Sequence, residues 1–230
     1  MVDIPSLLLV GTGFLLGLGH SLDPDHVVAI SALVCNSPSL RKSIASAVAW
    51  GTGHSVTLFL VGLLVLAFRI AIPDSVVQAL ELAAAAMLVA LGVLVMKPFV
   101  AGSIRGKSHR RQIDSENHAT LDSSGTPHAH AHVHKSVATG VLQGLAGSAA
   151  VMLVVLTTVN SAVLGLIFIA LFGVGVVLGM VGISCVIGTL LTYTASRLKR
   201  VHEKIQAVTG LISIGFGIFI FMQVVFQGHV

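Results

Sequence analysis

Gly17-Leu-Gly-His20-Ser-Leu-Asp23-Pro24-Asp25-His26-Val-Val28 lies inside the first long apolar stretch of the chain and interrupts it. Two carboxylates and two imidazoles fall within seven positions. A single charge at the centre of a bilayer costs roughly 2.5–3.5 kcal/mol on insertion scales, so such groups persist where they face a protein interior or a wet cavity. Four of them together point to a cation. In an unbroken helix His20 and Asp23 share a face, as do Asp23 and His26. Pro24 breaks that geometry, because it donates no hydrogen bond and its ring clashes with the carbonyl of His20. The expectation is a helix that stops, turns and restarts at Asp23-Pro24-Asp25, with Asp23 as its cap and Pro24 in its first turn. Irregular backbone at membrane depth is tolerated only where it lines protein or a cavity. These residues predict a transition-metal site in a transporter; the alternative for the Asp and Pro alone is a capped kink, which leaves His20 and His26 without a role.

The composition agrees with a membrane setting. Of 230 residues, 55% are hydrophobic and 10% charged, with mean hydropathy +0.97, whereas soluble domains carry about 25% charged residues. The 24 glycines suit close helix packing in a bilayer. Cys35 and Cys185 form no CxxC pair and are expected as small buried hydrophobes. No signal peptide is evident at the start. The formal charge of +4 speaks for orientation and lipid headgroups, not for nucleic acid.

A span needs about 20 apolar residues. Six stretches qualify: Ile4–Val34, Ser43–Phe68, Ser75–Met96, Ser136–Val159, Ser161–Tyr193 and Ile205–Phe226. Arg41 and Lys42, then Lys97, Arg105, Lys107, Arg110, Arg111 and Lys135, then Arg197, Lys199, Arg200 and Lys204, all fall on one side of alternating helices, with Arg69 on the other. The positive-inside rule places that side in the cytoplasm and both termini outside. The chain is therefore expected as a multi-pass protein of the cell membrane.

The two halves also align. Gly17 to Val28 matches Gly140-Val-Leu-Gln143-Gly-Leu-Ala146-Gly-Ser148-Ala149-Ala-Val, and Trp50-Gly-Thr-Gly-His54 matches Phe172-Gly-Val-Gly-Val176. Three spans per half require opposite senses across the membrane. The expected fold is all-α: six transmembrane helices as two inverted three-helix repeats, with a broken first helix carrying the metal motif. Residues 1–98 form the first repeat, 99–135 a His-rich cytoplasmic loop, and 136–230 the second repeat. In the second half Gln143, Ser148 and Asn160 are the comparable polar groups, so the site is built mainly by the first.

His54, flanked by small residues in Gly51-Thr-Gly-His54-Ser55, is the third intramembrane imidazole and joins His20, Asp23, Asp25 and His26 as a candidate metal residue. Neutral imidazole suits nickel, cobalt, copper and zinc rather than magnesium or calcium. The loop adds His109 and His118, then His128, His130, His132 and His134 in alternation. Its composition predicts disorder, and the alternating imidazoles predict a metal buffer or handover point. His202 and His229 are expected as surface groups.

The motifs resemble the nickel/cobalt transporter family, whose signature is a His, four residues, then Asp-His, matched by His20, Asp25 and His26. Gly53-His54-Ser55 matches the Gly-His-Ser of a following helix. Gly144-Leu-Ala-Gly-Ser148-Ala looks like the shorter branch that includes urease accessory protein H-like permeases. There a His commonly precedes this run, where Gln143 stands here. The resemblance implies Ni(II), and Co(II) as a second cargo, carried as substrate with no resident cofactor. The implied partners are the metal ion, the bilayer, and a nickel-enzyme maturation chaperone or partner permease subunit. The expected function is uptake by a secondary transporter, with efflux through the same fold or an intramembrane metalloenzyme as alternatives. No HExxH and no Glu in the motif argue against an enzyme. No Walker-type loop is present, which argues against ATP hydrolysis by this chain. Cys35 and Cys185 stand at non-equivalent positions of the two repeats, against a thiol electron carrier.

Overall fold

A computed structural model describes residues 4–35, 39–68, 72–104, 133–147 and 161–227. Seven helices and no strand lie among them. They are α1 (Ile4–His20), α2 (Pro24–Val34), α3 (Leu40–Phe68), α4 (Asp74–Ile104), α5 (133–147), α6 (Ala162–Arg197) and α7 (Lys199–Gln227). Four are long and apolar enough to cross a membrane: Leu40–Phe68, Asp74–Lys97, Ala162–Arg197 and Arg200–Phe226. The described residues form helices and no strand, and the chain is a membrane protein. Helix ends run past the apolar windows expected from sequence; α3 at 29 residues is about 44 Å long at the α-helical rise, more than the roughly 30 Å hydrocarbon core.

The first stretch is broken where expected. After His20 the chain tightens: Leu22 N–H donates to the Gly19 carbonyl (2.9 Å) and Asp23 N–H to that of His20 (3.0 Å). Asp23 then takes φ −57°, ψ 136°, the extended conformation that a following proline enforces. Pro24 occupies the first turn of α2, where its missing N–H costs nothing. Asp23 stands at the capping position, but its side chain makes no cap hydrogen bond; its carboxylate is engaged by His20 instead.

α6 packs along both α1 and α3, α4 pairs with α7, and α2 wedges among α3, α4, α6 and α7. Apolar side chains lie inside, where Ile30, Leu58 and Met180 are buried, and also outside. Leu15, Leu60, Val174, Leu211 and Phe219 face outward, while His26, His54, Gln143, Ser184 and Ser213 are buried. With lipid outside, apolar surface gains nothing by burial, so contacts form where small residues let backbones approach.

Glycines make the closest of these contacts, and the contacts come in matched pairs. A Cβ on Gly17 would strike the Phe172 carbonyl oxygen, and one on Gly140 that of Trp50. One on Gly53 would meet the Val137 oxygen at 2.6 Å and the Val141 nitrogen at 3.3 Å, while one on Gly175 would meet the Phe14 oxygen and, at 2.8 Å, the Leu18 nitrogen. In the α4–α7 pair, Gly92 stands 2.6 Å from the Gly210 oxygen by the same measure, and Gly217 2.7 Å from that of Ala85.

These contacts predict a sharp split among glycine substitutions. Gly17→Ala and Gly140→Ala drive a methyl into backbone and should each cost about 1–3 kcal/mol by overpacking. Gly182→Ala and Gly215→Ala enter open space and should leave stability unchanged. Thermal unfolding of the detergent-purified variants, followed by loss of the monodisperse elution peak, checks the contrast.

Candidate metal site

α1 ends by presenting His20, the turn carries Asp23, and the first turn of α2 presents Asp25 and His26. α3 contributes Trp50 and His54, four residues apart and therefore on one face. α5 approaches along α3 through Gly140 and Gly144, the second of which stands against the His54 backbone. That approach brings Gln143 to the site. α6 supplies Phe172, whose ring lies 5.2 Å from that of His20.

Three imidazoles converge. His20, His26 and His54 can each offer a ligand atom within 4.8 Å of the others. Their ring centroids are 4.6 Å (His20–His26), 5.4 Å (His20–His54) and 5.1 Å (His26–His54) apart. His54 is 0% exposed and His26 3%. A second overlapping group, Asp23, Asp25 and His26, also has ligand atoms within 4.8 Å.

The carboxylates back the rings. Asp23 Oδ2 lies 2.6 Å from His20 Nδ1. Asp25 Oδ1 lies 3.1 Å from His26 Nδ1, at ion-pair distance but without the alignment of a hydrogen bond. A carboxylate behind one ring nitrogen fixes the ring and turns the other nitrogen outward as a ligand. His20 Nε2, both nitrogens of His26 and both of His54 have no hydrogen-bond partner among the described residues. Leaving one buried polar group unpaired costs about 1–3 kcal/mol, and a neutral imidazole has one lone-pair nitrogen, so the three rings together can offer one ligand atom each to a cation.

Two groups were not legible as site residues from sequence. Trp50 is wholly buried, stacks on His54 at 5.0 Å and 14°, and meets His26 edge-on at 4.9 Å. Gln143 accepts a hydrogen bond from Trp50 Nε1 (2.9 Å) and donates to the Asp25 carbonyl (3.2 Å) and Oδ2 (3.3 Å). Its signal in the sequence was a polar residue in an apolar stretch, aligned with His20. Gly147, from the Gly144-Leu-Ala-Gly run, would carry a Cβ 3.9 Å from His20 Nε2.

Other expected residues fall elsewhere. His128, His130 and His132, like His109, His118, Ser148, Asn160 and His229, lie outside the described residues; His134 is exposed at the start of α5. His202, expected at the surface, is buried at 9% exposure with Nδ1 3.4 Å from Thr194 Oγ1; the α6–α7 turn folds the end of α6 over it. Cys35 is buried and Cys185 half-buried, and the two form no disulfide with each other.

No protein-family model and no solved structure matches the chain. It is 36% identical over 217 residues to urease accessory protein UreH of Bacillus sp. strain TB-90, spanning 94% of this chain and 91% of that one. It is 27% identical over 210 residues to the chloroplast protein FOR GROWTH AND FERTILITY 1 of Arabidopsis thaliana, covering 90% of this chain and 57% of the relative. A candidate nickel/cobalt efflux system of Methanocaldococcus jannaschii is 24% identical over 190 residues, 80% of this chain and 78% of its own. With more than a third of its residues shared along nearly the whole of both chains, and with the His20, Asp25, His26 and Gly53-His54-Ser55 motifs in place, this chain belongs to the UreH family of the nickel/cobalt transporter superfamily.

Proposed function

We propose that this chain carries a divalent transition metal, Ni(II) foremost and Co(II) with it, across the cell membrane as an uptake permease. The observation that carries the proposal is the convergence of His20, His26 and His54, buried rings that each bring one ligand atom within 4.8 Å of the others at a level near the middle of α3. His54 stands halfway along Leu40–Phe68, about 21 Å of helix from either end.

The donor set selects the cargo class. Three neutral imidazoles suit borderline transition metals and leave further positions open for exchange. Asp23 and Asp25 balance the double positive charge from behind His20 and His26. The sequence reading has the metal at His20, Asp25 and His26, with Asp23 and His54 assisting; the geometry supports instead the three imidazoles inside and the carboxylates as their backing. The ion is substrate, with no resident cofactor.

The matched glycine contacts support two inverted three-helix repeats, residues 1–98 and 136–230. Exchanging the halves carries the Gly17–Phe172 contact onto Gly140–Trp50, Gly53–Val137 onto Gly175–Phe14, and Gly92–Gly210 onto Gly217–Ala85. Alternating access then follows from rocking of one half against the other around a central site. The charge distribution orients both termini outward and residues 99–135 into the cytoplasm. There His128, His130, His132 and His134 receive the metal for a nickel-enzyme maturation partner, in keeping with the urease accessory name of the Bacillus relative. The Methanocaldococcus relative is named for efflux, which makes direction the quantity to measure.

In cells expressing the chain, nickel accumulation should exceed that of an empty-vector control, and His26→Ala should return it to control. Accumulation below control with raised nickel tolerance would assign export.

Trp50 is the single tryptophan of the chain and stacks on His54, so it reports the site directly. Ni(II) titrated into purified protein should quench its emission, with Mg(II) unable to compete. His54→Ala should weaken binding by more than the about 10–100-fold that loss of a group merely supporting a ligand costs. Quenching by Ni(II) that His54→Ala leaves unchanged would remove the three-imidazole site.

A further inference from the structure

Gln143 comes from the half of the chain that has lost the metal-ligating side chains, yet it is 2% exposed and bonded at both ends of its amide. The orientation of that amide is set by its partners. An indole N–H only donates, so the oxygen must face Trp50; an ionised carboxylate only accepts, so the NH₂ must face Asp25. Each partner touches the imidazole cluster separately. Asp25 stands behind His26 Nδ1 at 3.1 Å. Trp50 lies flat on His54 and edge-on to His26.

We propose that Gln143 is the positioning residue of the metal site, one amide that fixes the carboxylate behind His26 and the indole between His26 and His54, so that the second half sets the geometry of ligands supplied by the first. The inference rests on the metal-carrier assignment made under the proposed function. Gln143 links Asp25 to Trp50 and adds no imidazole to the cluster.

The test uses the full chain purified in detergent, titrated with nickel chloride and read both by equilibrium dialysis and by Trp50 emission. Gln143→Met keeps the length and removes all three hydrogen bonds. Gln143→His keeps an acceptor and a donor. Gln143→Met should weaken Ni(II) binding about 10- to 100-fold, the usual cost of removing a group that orients a ligand. It should also shift Trp50 emission to shorter wavelength, because the indole loses its partner. Gln143→His should bind Ni(II) as the unaltered chain does. Should Gln143→Met fail to elute as folded protein, Gln143→Asn replaces it; its amide is one methylene too short to reach both partners, and the same loss is expected. Unchanged affinity in the Met or Asn variant would overturn the proposal. So would a His variant as weak as the Met variant, which would leave Gln143 a packing role alone. If the unaltered chain binds no Ni(II), the metal-carrier assignment falls first and this inference with it, an outcome distinct from any seen only in the variants.

Discussion

Lipid offers no hydrogen bond, and this constraint governs the arrangement around His20, His26 and His54. Each polar group at mid-span must be satisfied by protein or by cargo. The protein satisfies part of the set. Asp23 takes one nitrogen of His20, Asp25 stands behind one of His26, and Gln143 engages Asp25 and Trp50. What remains without a hydrogen bond is His20 Nε2 and both ring nitrogens of His26 and of His54. A group left in that state is costly unless something binds it, and only a cation accepts lone pairs from several imidazoles at once. In the proposed carrier, the energetics that would punish an empty cluster in a structural core would give the ion its foothold.

The scaffold that holds the rings is made of backbone contacts. Gly17 lets α1 lie against the Phe172 carbonyl, and Gly140 lets α5 lie against that of Trp50. These two approaches place His20 beside Phe172 and Gln143 beside Trp50, the same relation in each half. Van der Waals contact at such range falls off steeply with distance, so the helices register against one another sharply although no apolar driving force joins them in lipid. Position in the site therefore depends on residues that have no side chain at all.

Much of this was legible before any coordinates. Pro24 told of the break, because its ring and missing N–H forbid a continuous helix whatever surrounds it. His20, His26 and His54 stood out because ionisable groups in apolar stretches need a reason. The rest depends on tertiary packing, which local chemistry does not carry. Asp23 reads as a cap, and it holds the capping position, yet its carboxylate turns to His20 because the two-residue turn brings the ring within reach. Trp50 reads as one aromatic among apolar neighbours until α5 supplies its acceptor. Gln143 reads as a lost ligand; only the register of α5 on α3 reveals both of its partners. His202 reads as a surface group from its charged neighbours, and its burial follows from the fold of the α6–α7 turn over Thr194.

The glycine contacts match between the two halves while the side chains around the imidazoles do not, and that difference bears on the proposed function. In two identical halves, each would hold its own ligands, and an ion between them would be gripped equally from both sides. Here the imidazoles belong to the first half, and the second offers Gln143, Phe172 and Gly147, which bond, pack and stand clear. α6 of the second half packs along both α1 and α3, so the helices that carry His20 and His54 are braced by the half that supplies neither ring. Under the proposed carrier function the first half would give the ligand atoms and the second their spacing, and substitutions in α5 and α6 would tune affinity without changing the ligand set.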